Sequence, residues 1–85
     1  MNRTSLEIME DILTLLEKKG PQNSSAVQHK IKINSRVSAA KLGTLSRCGA
    51  IVRQEDTKAW VIAPKGEGLL VKIAEVNKAL KEVEE

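Results

Sequence analysis

Residues 24–53 read SSAVQHKIKINSRVSAAKLGTLSRCGAIVR, and the spacing within them decides the fold. Asn23, Ser24 and Ser25 offer an N-cap, because a side-chain oxygen there satisfies an orphan backbone N–H. Ala26, Val27 and Ile31 then give one apolar face to a helix of about two turns, residues 24–31. A further helix runs from Ser35 to Arg47, with Asn34 or Ser35 as its N-cap. Gly49 ends it, since glycine reaches the positive φ of a C-terminal cap at little cost. Past Gly49 the apolar period shortens. Ile51 to Gln54 and Ala59 to Ile62 are β-branched or aromatic runs around Glu55-Asp56-Thr57-Lys58, the pattern of a β-hairpin with a four-residue loop.

On the N-terminal side, Leu6, Met9, Ile12, Leu13, Leu15 and Leu16 recur at three- and four-residue intervals. With Thr4 or Ser5 as cap and Gly20-Pro21 as stop, residues 5–19 read as an amphipathic helix. On the C-terminal side, Pro64 suits the first position of a helix over residues 65–84, with Gly66 and Gly68 as blemishes in its first turn. The order is three helices, a hairpin and a long helix, hence a mainly α fold with a small β-hairpin. No repeat, linker or low-complexity segment interrupts it, so residues 1–85 are expected to form one domain. Residues 1–63 would be its core and residues 64–85 a C-terminal dimerisation helix.

Composition narrows the function classes. Ile, Leu and Val number 23 of the 85 residues, too many for a disordered chain. A single Cys and a single His exclude a disulfide framework and a Cys/His zinc site. No run approaches the roughly 18 apolar residues of a membrane helix, and the opening MNRTSLEIMEDI does not read as a signal peptide. The expectation is a soluble protein of a reducing compartment. The formal net charge of +3 averages two unlike regions. Residues 18–54 hold eight basic side chains (Lys18, Lys19, Lys30, Lys32, Arg36, Lys41, Arg47 and Arg53) and no Asp or Glu, while the rest of the chain carries −5. Such segregation points to a polyanion-facing surface.

The residues around the second and third helices resemble the winged helix-turn-helix DNA-binding domains. Val27, Ile31, Ile33, Leu42, Leu45 and Gly49-Ala50-Ile51-Val52 fall without gaps on the apolar pattern of that family's second helix, turn and recognition helix. Trp60, Ile62, Lys65 and Gly66 match the close of its wing. The resemblance spans roughly residues 5–70. It implies a recognition helix over residues 35–47, a two-stranded wing and a partner that is double-stranded DNA. Two positions depart from the pattern. Ala63 stands where Thr is common, and Ser38 takes an inward place usually held by Val or Ile. Either the Ser38 hydroxyl bonds the Asn34 carbonyl one turn back, or the helix is rotated and Val37 points inward.

With Leu42 and Leu45 inward, a step of 100° per residue places Arg36, Ala40, Gly43 and Arg47 on the opposite face. Small residues between two arginines suit a helix laid in a major groove. Arg36 near the N-terminus is placed to reach guanine O6 and N7, and Arg47, about 16 Å further on, to meet a phosphate. Val37 and Thr44 flank the stripe, and Ser35 begins it. Ser24 and Ser25 open the second helix, where free backbone N–H groups favour a phosphate. Lys30, Lys32 and Lys41 add sequence-independent attraction. By the resemblance, Arg53 and Lys58 belong to the wing, although Glu55 and Asp56 at its tip would repel phosphates and turn any contact to its side. Trp60 is read as core, His29 as surface and Cys48 as a packed thiol; a redox role for Cys48 stays open, with no resolving Cys.

Leu69, Ile73, Val76, Leu80 and Val83 in the last helix are spaced four, three, four and three apart, an a/d heptad stripe. This reads as a coiled coil holding a homodimer, of either strand orientation, which would present two recognition helices. The layout is similar to small archaeal winged-helix proteins that dimerise through such a helix. No catalytic constellation and no cofactor, metal or small-molecule motif is present in the sequence. The leading expectation is a dimeric transcriptional regulator, cytoplasmic or nucleoid-associated. A non-specific architectural DNA-binding protein and a protein-interaction module without nucleic acid are the alternatives. Single-stranded nucleic acid is disfavoured, because Trp60 is the one aromatic residue available for base stacking.

Overall fold

A computed structural model describes residues 3–84. The order is α1 (Ser5–Lys19), α2 (Ser24–Ile31), α3 (Ser35–Arg47), β1 (Ile51–Arg53), β2 (Trp60–Ile62) and α4 (Pro64–Glu84). Positions 1, 2 and 85 of the expected domain lie outside the described residues.

Helices α1, α2 and α3 each start where a side chain takes up an orphan N–H. Thr4 caps α1: its hydroxyl accepts from the Glu7 N–H at 3.1 Å, while the Glu7 carboxylate accepts from the Thr4 N–H at 2.9 Å. Asn23 caps α2 and Asn34 caps α3, each through its side-chain oxygen at 2.8 Å. Of the alternatives at the three helix starts, the residue just outside the helix is the cap in every case. The third helix closes through Gly49 at φ 83°, a backbone conformation that disfavours any side chain.

The hairpin is antiparallel, with Ile51 opposite Ile62, Val52 opposite Val61 and Arg53 opposite Trp60. Each strand is one residue shorter than the sequence pattern suggests, because Gln54 and Ala59 are drawn into the loop that reverses the chain. Gln22 pairs its backbone with Trp60, N–H to O in both directions at 3.1 and 2.8 Å, and so ties the segment before α2 to the wing.

The core is Ile12, Leu13, Leu16, Val27, Leu42, Leu45, Ala50, Ile51 and Ile73. Leu69 and Leu70 pack against it from α4, so the start of that helix completes the core rather than standing outside it. Gly66, a blemish by helix propensity, is there for contact. A Cβ on it would lie 2.1 Å from the Ala50 carbonyl oxygen, which no side chain tolerates. The helix can therefore pass against the end of β1 only with glycine at this position.

Ser38 is buried and Val37 half-buried, which settles the rotation of α3. The expected bond from the Ser38 hydroxyl to Asn34 is not formed. The Asn34 carbonyl instead accepts the Ser38 backbone N–H at 3.0 Å, and the Ser38 Oγ is left without a partner among the described residues.

Candidate nucleic-acid interface

The inward anchors of α3 are Ser38, Leu42 and Leu45. Packing them on α1, α2 and β1 turns Ser35, Arg36, Ala39, Ala40, Thr44, Ser46 and Arg47 to the surface. The expected stripe of Arg36, Ala40, Gly43 and Arg47 thus lies on one exposed face, with Gly43 half-covered. What covers it is Arg47. Its Nη1 sits 3.2 Å from where a Gly43 Cβ would be, and its Nη2 donates to the Thr44 hydroxyl at 3.4 Å. Thr44 in turn donates to the Ala40 carbonyl at 3.0 Å. In the free protein Arg47 therefore lies along its own helix, while Arg36 is exposed and has no carboxylate partner among the described residues. Ala39 and Ser46 flank the stripe on the side opposite Thr44. Neither belongs to the expected stripe, although the same 100° step places Ala39 only about 60° from Arg36.

Lys41 is half-buried and reaches the other way, its Nζ donating to the Ser5 hydroxyl at the start of α1 at 2.8 Å. It therefore lies at the side of the α3 face rather than on it. Arg3 bridges elements too, pairing with Asp11 and donating to the carbonyls of Ile31 and Lys32 at the end of α2. Lys32 closes α2 in the left-handed conformation, φ 62°. Lys30 and Lys32 are exposed, and together with Lys18 and Lys19 they border a groove between α1 and the end of α2.

At the start of α2 the two serines differ. Both are exposed, but Ser24 accepts a hydrogen bond from the Trp60 indole N–H at 3.1 Å. Trp60 is half-buried: its ring packs against the core, but its polar edge pins the start of α2 to the wing. The Arg53 guanidinium lies over the same ring, 5.6 Å from its centroid, and its Nε donates to the Lys58 carbonyl at 3.3 Å. Arg53 is thereby held along the side of the wing. Lys58 is exposed at φ 61°, and Glu55 and Asp56 occupy the exposed tip. These contacts join the start of α2 to the wing, and no acidic residue lies between positions 18 and 54.

Two expectations outside this face change. Cys48 is exposed rather than packed; as the capping residue after α3 its side chain faces solvent, the thiol donating to the Leu45 carbonyl at 3.3 Å. Of the five residues assigned to a dimer stripe, Ile73 is 5% exposed in the chain's own core and Leu69 is half-buried against it. Val76, Leu80 and Val83 remain open, at 44%, 47% and 84% exposure. A feature of α4 absent from the sequence reading is Asn77, buried at the contact with α1. Its Nδ2 donates to the Leu6 carbonyl at 3.2 Å and to Glu10 Oε1 at 2.6 Å. His29 is exposed. Among the described residues, no three His, Cys, Asp or Glu side chains come together as a metal site, and no helix is long and apolar enough to cross a membrane.

The winged helix-turn-helix family matches the sequence over residues 2–81. The structure is similar to that of Sso10a-2, a DNA-binding protein from Sulfolobus solfataricus. The two are 31% identical with a TM-score of 0.81, over 95% of this chain and 85% of that one. It is similar also to the transcriptional regulator BldR from the same organism, at 22% identity and a TM-score of 0.76, covering 87% of this chain and 56% of BldR. The Zβ domain of human DAI, studied for its binding modes to B- and Z-DNA, matches at 22% identity and a TM-score of 0.61, over 73% of this chain and 91% of the domain. At 22% identity these last two likenesses concern the fold alone. No curated protein matches the sequence.

Proposed function

We propose, from the premise that this chain belongs to the winged helix-turn-helix family, that it binds double-stranded DNA with α3 in the major groove and acts as a dimeric transcriptional regulator. The observation that carries this reading is the outward face of α3, where Arg36 and Arg47 bracket Ala40 and Gly43 inside a stretch of chain without a single acid. Arg36 reads a base edge from the N-terminal end of the helix. Arg47 leaves Thr44 and Gly43 to take a phosphate, which frees the Thr44 oxygen as an acceptor and uncovers the small residues for close approach. Ser25 and the first backbone N–H groups of α2 face a second phosphate, and Arg53 and Lys58 engage the backbone from the side of the wing. Ser35, Lys30, Lys32 and Lys41 contribute at the edge of this surface, and Ser24 acts by holding Trp60. The mechanism is occupancy of a site in the cytoplasm or nucleoid, without bond-making chemistry.

Dimerisation would run through the end of α4. Val76, Leu80 and Val83 continue the line of Leu69 and Ile73 beyond the part used in the core, so a second copy covers what the first leaves open. Two α3 helices on one particle extend the site. Architectural, sequence-independent binding is the second reading. It is favoured by Ala39, Ala40 and Gly43, which offer bases no hydrogen bond, and by the plain description of Sso10a-2 as a DNA-binding protein.

The test is competition between a duplex selected from a random pool and unselected duplex at one salt concentration. A selected sequence bound at least tenfold more tightly supports a regulator, and equal affinities support the architectural reading. Absence of binding to either duplex overturns both and leaves a protein-interaction module.

A further inference from the structure

The groove between α1 and the end of α2 is lined by no α3 residue and meets the DNA-binding surface just described only at its edge, through Lys30 and Lys32. Its volume is about 590 Å³, within the range of small-ligand sites. Leu15 and Ile31, both half-buried, form its apolar floor, and Lys18, Lys19, Lys30 and Lys32 stand exposed around it. The carboxylate lining it, Asp11, is already paired with Arg3. Lys30 donates to the neutral Gln22 side chain at 2.9 Å, which leaves its charge unbalanced. Four ammonium groups thus surround an apolar surface with no free carboxylate lining the groove to neutralise them. Arg3 also ties the two walls together through the carbonyls of Ile31 and Lys32, so the groove is preformed.

These features set two requirements on an occupant. The lysines select an anion, and the Leu15–Ile31 floor selects an apolar body. A DNA backbone meets the first requirement and fails the second; a neutral alcohol does the reverse. Length is limited as well. Asp11 and Lys18 are seven residues apart on α1, about 11 Å at the helical rise, a span that suits a small molecule.

We propose that this groove binds a small amphiphilic carboxylate, an aliphatic or aromatic body of about ten non-hydrogen atoms laid on Leu15 and Ile31 with its carboxylate among Lys18, Lys19 and Lys30. Octanoate has the required length and charge. Methyl-resolved NMR titration of the full chain with octanoate, beside octanol and acetate, tests the site without any DNA present, so its result is independent of the DNA-binding reading. The expected result is saturable shifts centred on Leu15 and Ile31, with octanol and acetate each bound at least tenfold more weakly. In the Lys18→Glu/Lys30→Glu variant, whose exposed side chains leave the methyl spectrum of the core in place, octanoate should also bind at least tenfold more weakly. The proposal is overturned if octanoate gives no saturable shift, if octanol binds as well, if the double variant binds equally, or if the shifts centre on Val76, Leu80 and Val83.

Discussion

The Ser38 hydroxyl sits in the core with no hydrogen-bond partner among the described residues, and its removal should help the fold. Replacing an unsatisfied buried hydroxyl by a methyl recovers its desolvation cost, so Ser38→Ala is expected to raise stability by about 1 kcal/mol in urea denaturation. Gly66 gives the opposite case. With the Ala50 carbonyl oxygen 2.1 Å from any added Cβ, the obstacle is backbone and cannot swing aside. Gly66→Ala is expected to lower stability by about 1–3 kcal/mol in the same experiment. Glu7 supplies a pH dependence. Its hydrogen bond from the Thr4 backbone N–H, then that with the Thr4 side chain, holds its carboxyl below the usual glutamate value. The folded pKa is the lower one, so its contribution is complete above the ordinary value and is lost as pH falls through the folded value. Thermal melts from neutral pH into the acid range should show wild type losing its small advantage over Glu7→Gln in that window. A constant difference would contradict the capping role. At this scale the placement of Arg36, Ala40 and Arg47 on one face was legible, because helical period alone sets direction. That Arg47 lies back over Gly43 was not, since it depends on a rotamer and on the Thr44 hydroxyl.

Among the elements, α4 shows where sequence spacing stops informing. A four-three repeat is equally the signature of packing on a helix of the same chain and of packing on another copy. Leu69 and Ile73 follow the first course, because Gly66 brings the start of α4 down onto Ala50 and the core. Asn77 then fixes the contact with α1 through Leu6 and Glu10, a polar pin that no apolar count reveals. Beyond it, Leu80 and Val83 face solvent at 47% and 84% exposure. Substituting them by glutamate disturbs no core contact, so Leu80→Glu/Val83→Glu is expected to halve the particle mass in sedimentation and leave the helical circular-dichroism signal in place. A wild-type chain that sediments as a monomer would refute the dimer. The helix boundaries and the hairpin were legible from caps, Gly49 and the change of period; strand length was one residue off at the loop, where the reversal of the chain takes its own residues.

The whole molecule is organised by charge as much as by packing. The segment from residue 18 to residue 54, with eight basic side chains and no acid, ends α1 and builds α2, α3 and β1, while the acidic residues among those described lie on α1, α4 and the wing tip. The partition was visible in the sequence, but its division into two surfaces was not. Folding places Arg36 and Arg47 on the α3 face, and gathers Lys18, Lys19, Lys30 and Lys32 around a groove between α1 and α2 that adjoins the DNA surface through Lys30 and Lys32. If the α3 face is the DNA surface, the salt dependence of binding should follow Arg36 and Arg47. The most direct measurement is the affinity for a random duplex across a salt series, for wild type and for Arg36→Ala/Arg47→Ala, read by fluorescence anisotropy. Wild type is expected to weaken linearly in the logarithm of salt, each phosphate contact contributing about 0.9 to the slope, and the double variant to bind more weakly with a slope shallower by about one to two. Wild-type affinity indifferent to salt, or a double variant with an unchanged slope, would contradict the account.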